Sequence, residues 1–219
     1  PVVTIITSIG LEHADILGKS LPEITGEKAG IMKAGVPCVL GPLPPETSPT
    51  IRNRAAELNV PLIDAESELQ PHDIRLTTEG TSFSIIKNQE KYTLNLAMLG
   101  KQAVTNAVIA LATVEHQNQF SVSWEQRSKA LRSVVIPGRL QRLRESPLVY
   151  YDVAHNYDGL RNLLQNLQAF YPEKPLRVLI NLKVDKDISR FRDLFSPDAN
   201  ICILDIPEVE MHTAETWQS

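Results

Sequence analysis

An imidazole and two carboxylates, Glu12, His13 and Asp15, follow the β-branched run Val2 to Thr7 and the break at Gly10. Open α/β sheets bind ligands at the carboxyl ends of their strands, so this segment reads as a divalent-metal or phosphate-handling site, or else as an ordinary charged loop. Lys28, in Glu27-Lys28-Ala29-Gly30-Ile31, ends a helical stretch, where spacing alone makes it a solvated charge. Asp152 and His155 stand three apart in Tyr151-Asp152-Val153-Ala154-His155-Asn156 at a later strand end, with Asn156 placed to cap the following helix. Leu17-Gly18-Lys19-Ser20 imitates the tail of a phosphate-binding loop. The glycine required five residues before Gly18 is His13, however, and the run falls inside a helical stretch. The five histidines, His13, His72, His116, His155 and His212, are too scattered for a zinc set.

The elements that must hold these residues alternate. Strands are predicted at 2–7, 37–40 and 61–63, with a helix from about Asp15 to Met32 and another over 48–59, Ser48 capping it and Pro49 in its first position. That alternation implies a parallel sheet covered on both faces. An antiparallel hairpin is predicted from 81–86 and 92–96, then helices over 106–116 and 124–134. Ile136-Pro137-Gly138 reads as a domain junction, because proline disfavours helix before it and glycine frees the turn after it. Beyond it come strand 148–153, helix 158–170, strand 176–180, a helix near 188–194 and strand 201–204: a second, incomplete α/β unit.

Composition narrows the function. The chain has 219 residues, 22 Lys+Arg, 26 Asp+Glu and a formal net charge of -4. The absence of basic runs argues against binding nucleic acid, which requires a cationic face. No apolar run reaches the length of a membrane span, and no basic leader opens the chain, so a cytoplasmic location is expected. Cys38 and Cys202 show no metal or disulfide spacing and read as small buried apolar residues in a reduced compartment. The start at Pro1, without Met, is expected of a chain that begins inside a domain.

Six segments in order resemble the folylpolyglutamate synthase/dihydrofolate synthase family, within the Mur ligase superfamily of ATP-dependent amide-forming enzymes. They are Thr7-Ser8-Ile9-Gly10-Leu11-Glu12-His13 through Leu17-Gly18; Glu27-Lys28-Ala29-Gly30-Ile31; Asn106-Ala107 with Ala110-Leu111-Ala112; Ile136-Pro137-Gly138-Arg139; Asp152-Val153-Ala154-His155-Asn156; and Asp185-Lys186-Asp187. The resemblance implies an α/β fold: residues 1–136 as the C-terminal part of a central ATP-binding ligase domain, and 137–219 as a truncated Rossmann-like C-terminal domain. It also implies an internal piece without the family's phosphate loop, not expected to turn over alone.

By resemblance, ATP phosphorylates a substrate carboxylate and the amine of L-glutamate displaces the phosphate, with dihydropteroate or folate (poly)glutamates as acceptor. His13 is then a Mg²⁺ ligand, Lys28 the lysine carried as a carbamate, Asn106 the adenine contact, Arg139 the arginine that reaches the phosphates, and Asp152 and His155 the residues that close over ATP. ATP and Mg²⁺ are the implied cofactors and a monomer the implied state. Several positions depart from the family: Glu12 replaces a usual Asp, Gln102-Ala103 stands where a Gln nearer the nucleotide is common, Asn181 replaces a frequent Gly, and Glu210-Met211-His212 a frequent Arg. The residues also admit another Mur-type amino-acid ligase, or a non-catalytic paralogue that binds nucleotide or folate.

Overall fold

Strand β1 (Thr4–Ile6), β2 (Cys38–Leu40) and β3 (Leu62–Asp64) pair in parallel with β2 in the middle, in a computed structural model that describes residues 1–11, 17–184, 188, 191–195, 199–204, 206 and 209–218. The register puts Ile5, Val39 and Ile63 in one row across the sheet, and Thr4, Cys38 and Leu62 in the next. Because side chains alternate between faces, the two rows feed different cores. Val39 and Ile63 face a core shared with helix α4 (Lys101–His116), while Cys38 faces α1 (Leu21–Ala29) and α2 (Ser48–Glu57). The sheet is therefore covered on both faces, as the alternation predicts. Burial pushes the Cys38 thiol above its ordinary range, with the Thr4 hydroxyl pulling the other way.

A short helix α3 (Ala65–Leu69), capped by Asp64 Oδ1 accepting from Ser67 N at 2.7 Å, leads into an antiparallel sheet of β4 (His72–Thr77), β5 (Gly80–Lys87) and β6 (Glu90–Leu96). The predicted hairpin is β5 and β6. Phe83 pairs with Leu94 and Thr81 with Leu96 across it, and the apolar row meets α4 from the side opposite the parallel sheet. Helix α4 starts at Lys101, a turn and more before the predicted Asn106. No capping side chain at Gly100 announces it in the sequence; the Gly100 amide instead donates to the hydroxyl of buried Thr81 at 3.0 Å. The cap expected at Ser48 moves to Thr47, whose hydroxyl donates to Pro44 O at 2.6 Å, and Ser48 Oγ accepts from Arg52 Nε at 3.0 Å.

Helix α5 (Trp124–Ser133) opens with a capping box between Ser123 and Gln126 and contains no fully buried residue. It is held by Trp124 stacked on Tyr92 at 4.8 Å and by Arg127, which lies over the Trp124 ring and bonds Glu115. Lys87 bridges Glu115 (3.6 Å) and Glu68 (3.2 Å), and Glu68 accepts or shares a bond with His116 at 2.8 Å. Burial pushes the Glu115 carboxyl up, but the hydrogen bond and charge of Arg127, with Lys87 behind it, leave it below its ordinary value near 4.5. A carboxyl depressed on folding stabilises the fold above its unfolded value and loses that contribution as pH falls through the folded one. Glu115→Gln should thus flatten the acid side of the stability curve, from about pH 4.5 downward, in urea melts followed by Trp124 fluorescence. An unchanged acid limb would show that the pair contributes nothing.

The chain divides into two compact units, Pro1–Pro137 and Gly138–Ser219. The second holds an antiparallel hairpin, β7 (Gln141–Glu145) with β8 (Leu148–Tyr151), and a parallel pair, β9 (Arg177–Ile180) with β10 (Asn200–Ile203). Strand β7 escapes the sequence reading because Gln-Arg-Leu-Arg-Glu has one apolar residue in five. Strand β8 stops at Tyr151, two residues short of the prediction. Helix α6 (Tyr157–Phe170) and the final helix α7 (Ala214–Gln218) supply Leu160 and Trp217 to a small core with Leu182, Ile188 and Phe191. In the predicted helix near 188–194 the described portion is a 3₁₀ turn over Arg192–Leu194. Cys202 is exposed rather than buried, because β10 turns it, beside 64% exposed Leu179, away from that core. Among the described residues no helix is long and apolar enough to cross a membrane.

Candidate functional site

The carboxyl ends of β1 and β2 form one cluster. Gly41, just past β2, donates to Ile6 O at 2.9 Å, and a β carbon on it would lie 2.2 Å from Thr7 O and 2.7 Å from the Ile109 side chain. Only glycine fits that approach. Lys28, in the last turn of α1, reaches this strand end: its half-buried side chain donates from Nζ to Ser8 O at 3.1 Å. The lysine that spacing alone makes a solvated charge is thus directed at the segment singled out after β1.

Helix α1 can aim Lys28 there because its start is fixed. Ser20 is the N-cap, Pro22 lies in the first turn, and Glu23 Oε2 accepts from Lys19 N at 2.7 Å. Gly18, at φ +122°, packs so closely on Glu23 that a β carbon would come within 2.5 Å. Gly18 to Ser20 are therefore a capping turn before α1 rather than the inside of a continuous helix, although Leu17 just before them is helical.

His13, with Glu12 and Asp15, lies outside the described residues, as does Asp185-Lys186-Asp187. Among the described residues no three His, Cys, Asp or Glu side chains are grouped to hold a metal ion. The Mg²⁺ expectation gains no donor set from them.

Asn106 sits on the exposed face of α4 with Gln102 one turn before it, and Gln102 Nε2 donates to Asn106 Oδ1 at 3.2 Å. A carboxamide offers one donor and one acceptor side by side, the pattern that matches the N6/N7 edge of adenine. On the other side of α4, a small open cleft is lined by Gly41, Pro42, Glu66, Lys101, Val108 and Ile109, among others. None of the residues singled out from the sequence lines it.

In the second unit the structure brings Arg139, Asp152 and His155 into two adjoining segments. Gly138 (φ +72°) and Leu140 (φ +45°) both adopt left-handed backbone on either side of exposed Arg139. At Gly138 a β carbon would strike Val153 Cγ1 at 2.6 Å. The loop is pinned from several directions: Val153 N donates to Gly138 O (2.9 Å), Gly138 N to Gln141 Oε1 (2.9 Å) and Leu140 N to Asp152 Oδ2 (2.6 Å). The other Asp152 oxygen accepts from Ala154 N at 2.8 Å. His155 Nδ1 lies 3.1 Å from Val153 O, a contact that requires the proton on Nδ1 and turns Nε2 outward. Asn156 caps α6 through Gly159 N at 2.7 Å, so the capping reading of that residue holds. Lys28 and Asn106 belong to the first unit, on different helices. What spacing missed are Gln102 and the left-handed Leu140, for which Gly138 was the single visible hint.

Comparison with known proteins gives these residues a context. Residues 1–114 match the Mur ligase middle domain. The chain is 31% identical over 191 residues to the dihydrofolate synthase/folylpolyglutamate synthase of Bacillus subtilis, covering 85% of this chain and 44% of that protein. It is 26% identical to the folylpolyglutamate synthase of Lacticaseibacillus casei, over 88% of this chain and 46% of the relative. The solved Mycobacterium tuberculosis folylpolyglutamate synthase, complexed with ADP and AMPPCP, superposes with a TM-score of 0.88 at 25% identity, over 98% of this chain and 50% of its own. The chain thus spans about half the length of the relatives it matches.

Proposed function

This chain belongs to the Mur ligase family, and on that premise we propose that the whole protein is an ATP-dependent ligase joining L-glutamate to dihydropteroate or to folate (poly)glutamates. The carboxylate oxygen of the acceptor attacks the γ-phosphorus of ATP and ADP leaves. The glutamate amine then attacks the acyl carbon, loses a proton and expels phosphate as the amide forms. Both steps crowd anionic oxygens, so the protein's task is to supply positive charge and exclude water.

The observation that carries this reading is the pinned loop of the second unit. A guanidinium held exposed between two left-handed residues suits phosphoryl oxygens, which it meets with two N–H donors at once. His155, with Nδ1 committed to Val153 O, donates to a phosphate only as imidazolium, through Nε2–H. Asn106, its oxygen oriented by Gln102, reads the adenine edge. Lys28, at the carboxyl end of β1, adds CO₂ to its neutral amine with loss of a proton; the resulting carbamate offers two anionic oxygens and keeps one N–H for Ser8 O. His13 is a proposed ligand of Mg²⁺, which would neutralise phosphoryl oxygens when bound with ATP. The same reading makes the enzyme a cytoplasmic monomer.

Isotope transfer tests the mechanism. With ¹⁸O in the acceptor carboxylate, glutamate-dependent turnover by the whole protein should release ADP and phosphate carrying one ¹⁸O. Unlabelled phosphate, or AMP and pyrophosphate instead of ADP, would exclude an acyl phosphate. Turnover with another amino acid in preference to glutamate would move the protein to another branch of the family.

A further inference from the structure

We propose that Gly41 is a positioning residue for Lys28. Carrying no side chain, it lets the end of β2 close on Thr7 O, and that contact holds the Ser8 carbonyl where Lys28 bonds it. What Lys28 does there rests on the ligase reading; that it is held there rests on the geometry of the first unit alone.

Space, not backbone conformation, demands this glycine. Gly41 is buried and is not among the residues of positive φ, so its φ alone would admit an alanine. A β carbon is excluded by what it would meet: Thr7 O at 2.2 Å, Thr7 C at 3.0 Å and Ile109 Cδ1 at 2.7 Å. The neighbours are not equivalent. Ile109 Cδ1 ends a side chain that can turn to another rotamer, whereas Thr7 O is backbone. Carbon and oxygen stay about 3.3 Å apart even in weak C–H···O contacts, so the carbonyl would have to retreat by about 1 Å.

That retreat passes on to Ser8. On one side Ile6 pairs with Leu40 and its carbonyl accepts from Gly41 N at 2.9 Å; on the other Ile9 is buried in the core beneath α1. Thr7 and Ser8 are the two exposed residues between these anchors. Peptide planes are rigid, so a span this short cannot shift one carbonyl without turning the next plane, which carries Ser8 O. Lys28 Nζ lies 3.1 Å from that oxygen, near the outer end of the ordinary hydrogen-bond range. Helix α1 does not follow the movement, because Ser20 caps it and Ile24 and Ala29 anchor it at 0% exposure. The carbonyl leaves, the lysine stays, and the bond is lost.

The first arm of the test needs no substrate. In CO₂-free buffer, trace acetylation of the whole protein should modify Lys28 at least tenfold more slowly than exposed Lys129. In Gly41→Ala, the Lys28 rate should rise towards that of Lys129. The second arm is turnover: Gly41→Ala should lower kcat roughly tenfold to a hundredfold, the worth of one bond to a charged group, and leave the KM for ATP unchanged. Gly41→Ala with Lys28→Ala should be no slower than Lys28→Ala alone, since the glycine acts through the lysine. Unchanged Lys28 reactivity, a raised KM for ATP, or losses that multiply would each overturn the proposal. A merely structural role would lower stability and leave the reactivity of Lys28 as it was.

Adding Ile109→Ala to Gly41→Ala clears the contact on α4 but not the one on Thr7 O. It should recover stability while Lys28 stays fast to react; slow modification regained would overturn the proposal by assigning the effect to α4. This double variant also replaces Gly41→Ala should the single one fail to fold, and wild-type Lys28 reacting as fast as Lys129 would overturn the proposal without any variant. If the wild type does not ligate glutamate, yet Lys28 is slow there and fast in Gly41→Ala, the ligase reading falls and the positioning stands. Ligation with Lys28 equally reactive in both proteins gives the reverse.

Discussion

Lys28→Ala in the whole protein is expected to lower kcat for glutamate ligation by roughly 10²–10³-fold, the loss seen when one group stabilising a transition-state charge is removed. The KM for ATP should change little, because the proposed nucleotide contacts lie elsewhere, on α4 and in the second unit. The side chain is half-buried and directed at Ser8 O from the last turn of α1, so alanine removes a placed group rather than a loose surface charge. Two controls separate its roles. Lys28→Arg keeps a cation able to reach Ser8 O but does not form a carbamate; it should be as slow as the alanine variant. Acetate or formate should restore part of the activity of Lys28→Ala by returning two anionic oxygens to the vacated space, and should do nothing for Lys28→Arg. An active arginine variant would show that a positive charge is all the site asks of this position.

The second large effect is on stability. Phe83 is fully buried, pairs with Leu94 across β5 and β6, and shares its core with α4. Phe83→Ala should destabilise the first unit by about 3–5 kcal/mol, from lost transfer energy plus the cavity left behind. With two units, one global midpoint has little meaning. The chain contains two tryptophans, one in each unit, Trp124 on α5 and Trp217 on α7. With Trp217→Phe in the background, Trp124 fluorescence should report a lower urea midpoint. With Trp124→Phe instead, the Trp217 transition should stay where it is. Joint movement of both transitions would mean that the units unfold together.

These residues also show what could be read from the sequence. The parallel strands were legible because Ile5 stands in a β-branched run and Val39 and Ile63 in short apolar runs between turn signals, and the hairpin because Phe83 and Leu94 alternate with polar neighbours. Strands β4 and β7 were not, since His-Asp-Ile-Arg-Leu-Thr and Gln-Arg-Leu-Arg-Glu carry little apolar signal and are strands because of what pairs with them. The start of α4 was hidden for a related reason: the amide of Gly100, the residue before its first turn, is held by Thr81, nineteen residues away in sequence. In the site, spacing found Asp152 and Asn156 at a strand end but gave no means to see that the carboxylate holds Leu140 N. Such a bond exists only after β7 and β8 have paired. Lys28 was a solvated charge by composition, and only the motif order, then the bond to Ser8, gave it a direction.

Helix α4 presents Val104, Val108 and Leu111 to a core that both sheets of the first unit share. Neither sheet can peel away without exposing the helix face that also covers the other. The unit is therefore expected to open as a single foldon, with the central amides of β2 and β5 exchanging with solvent through the same rare opening although they sit in different sheets. Helix α5, with none of its residues fully buried, is free to fray below that threshold.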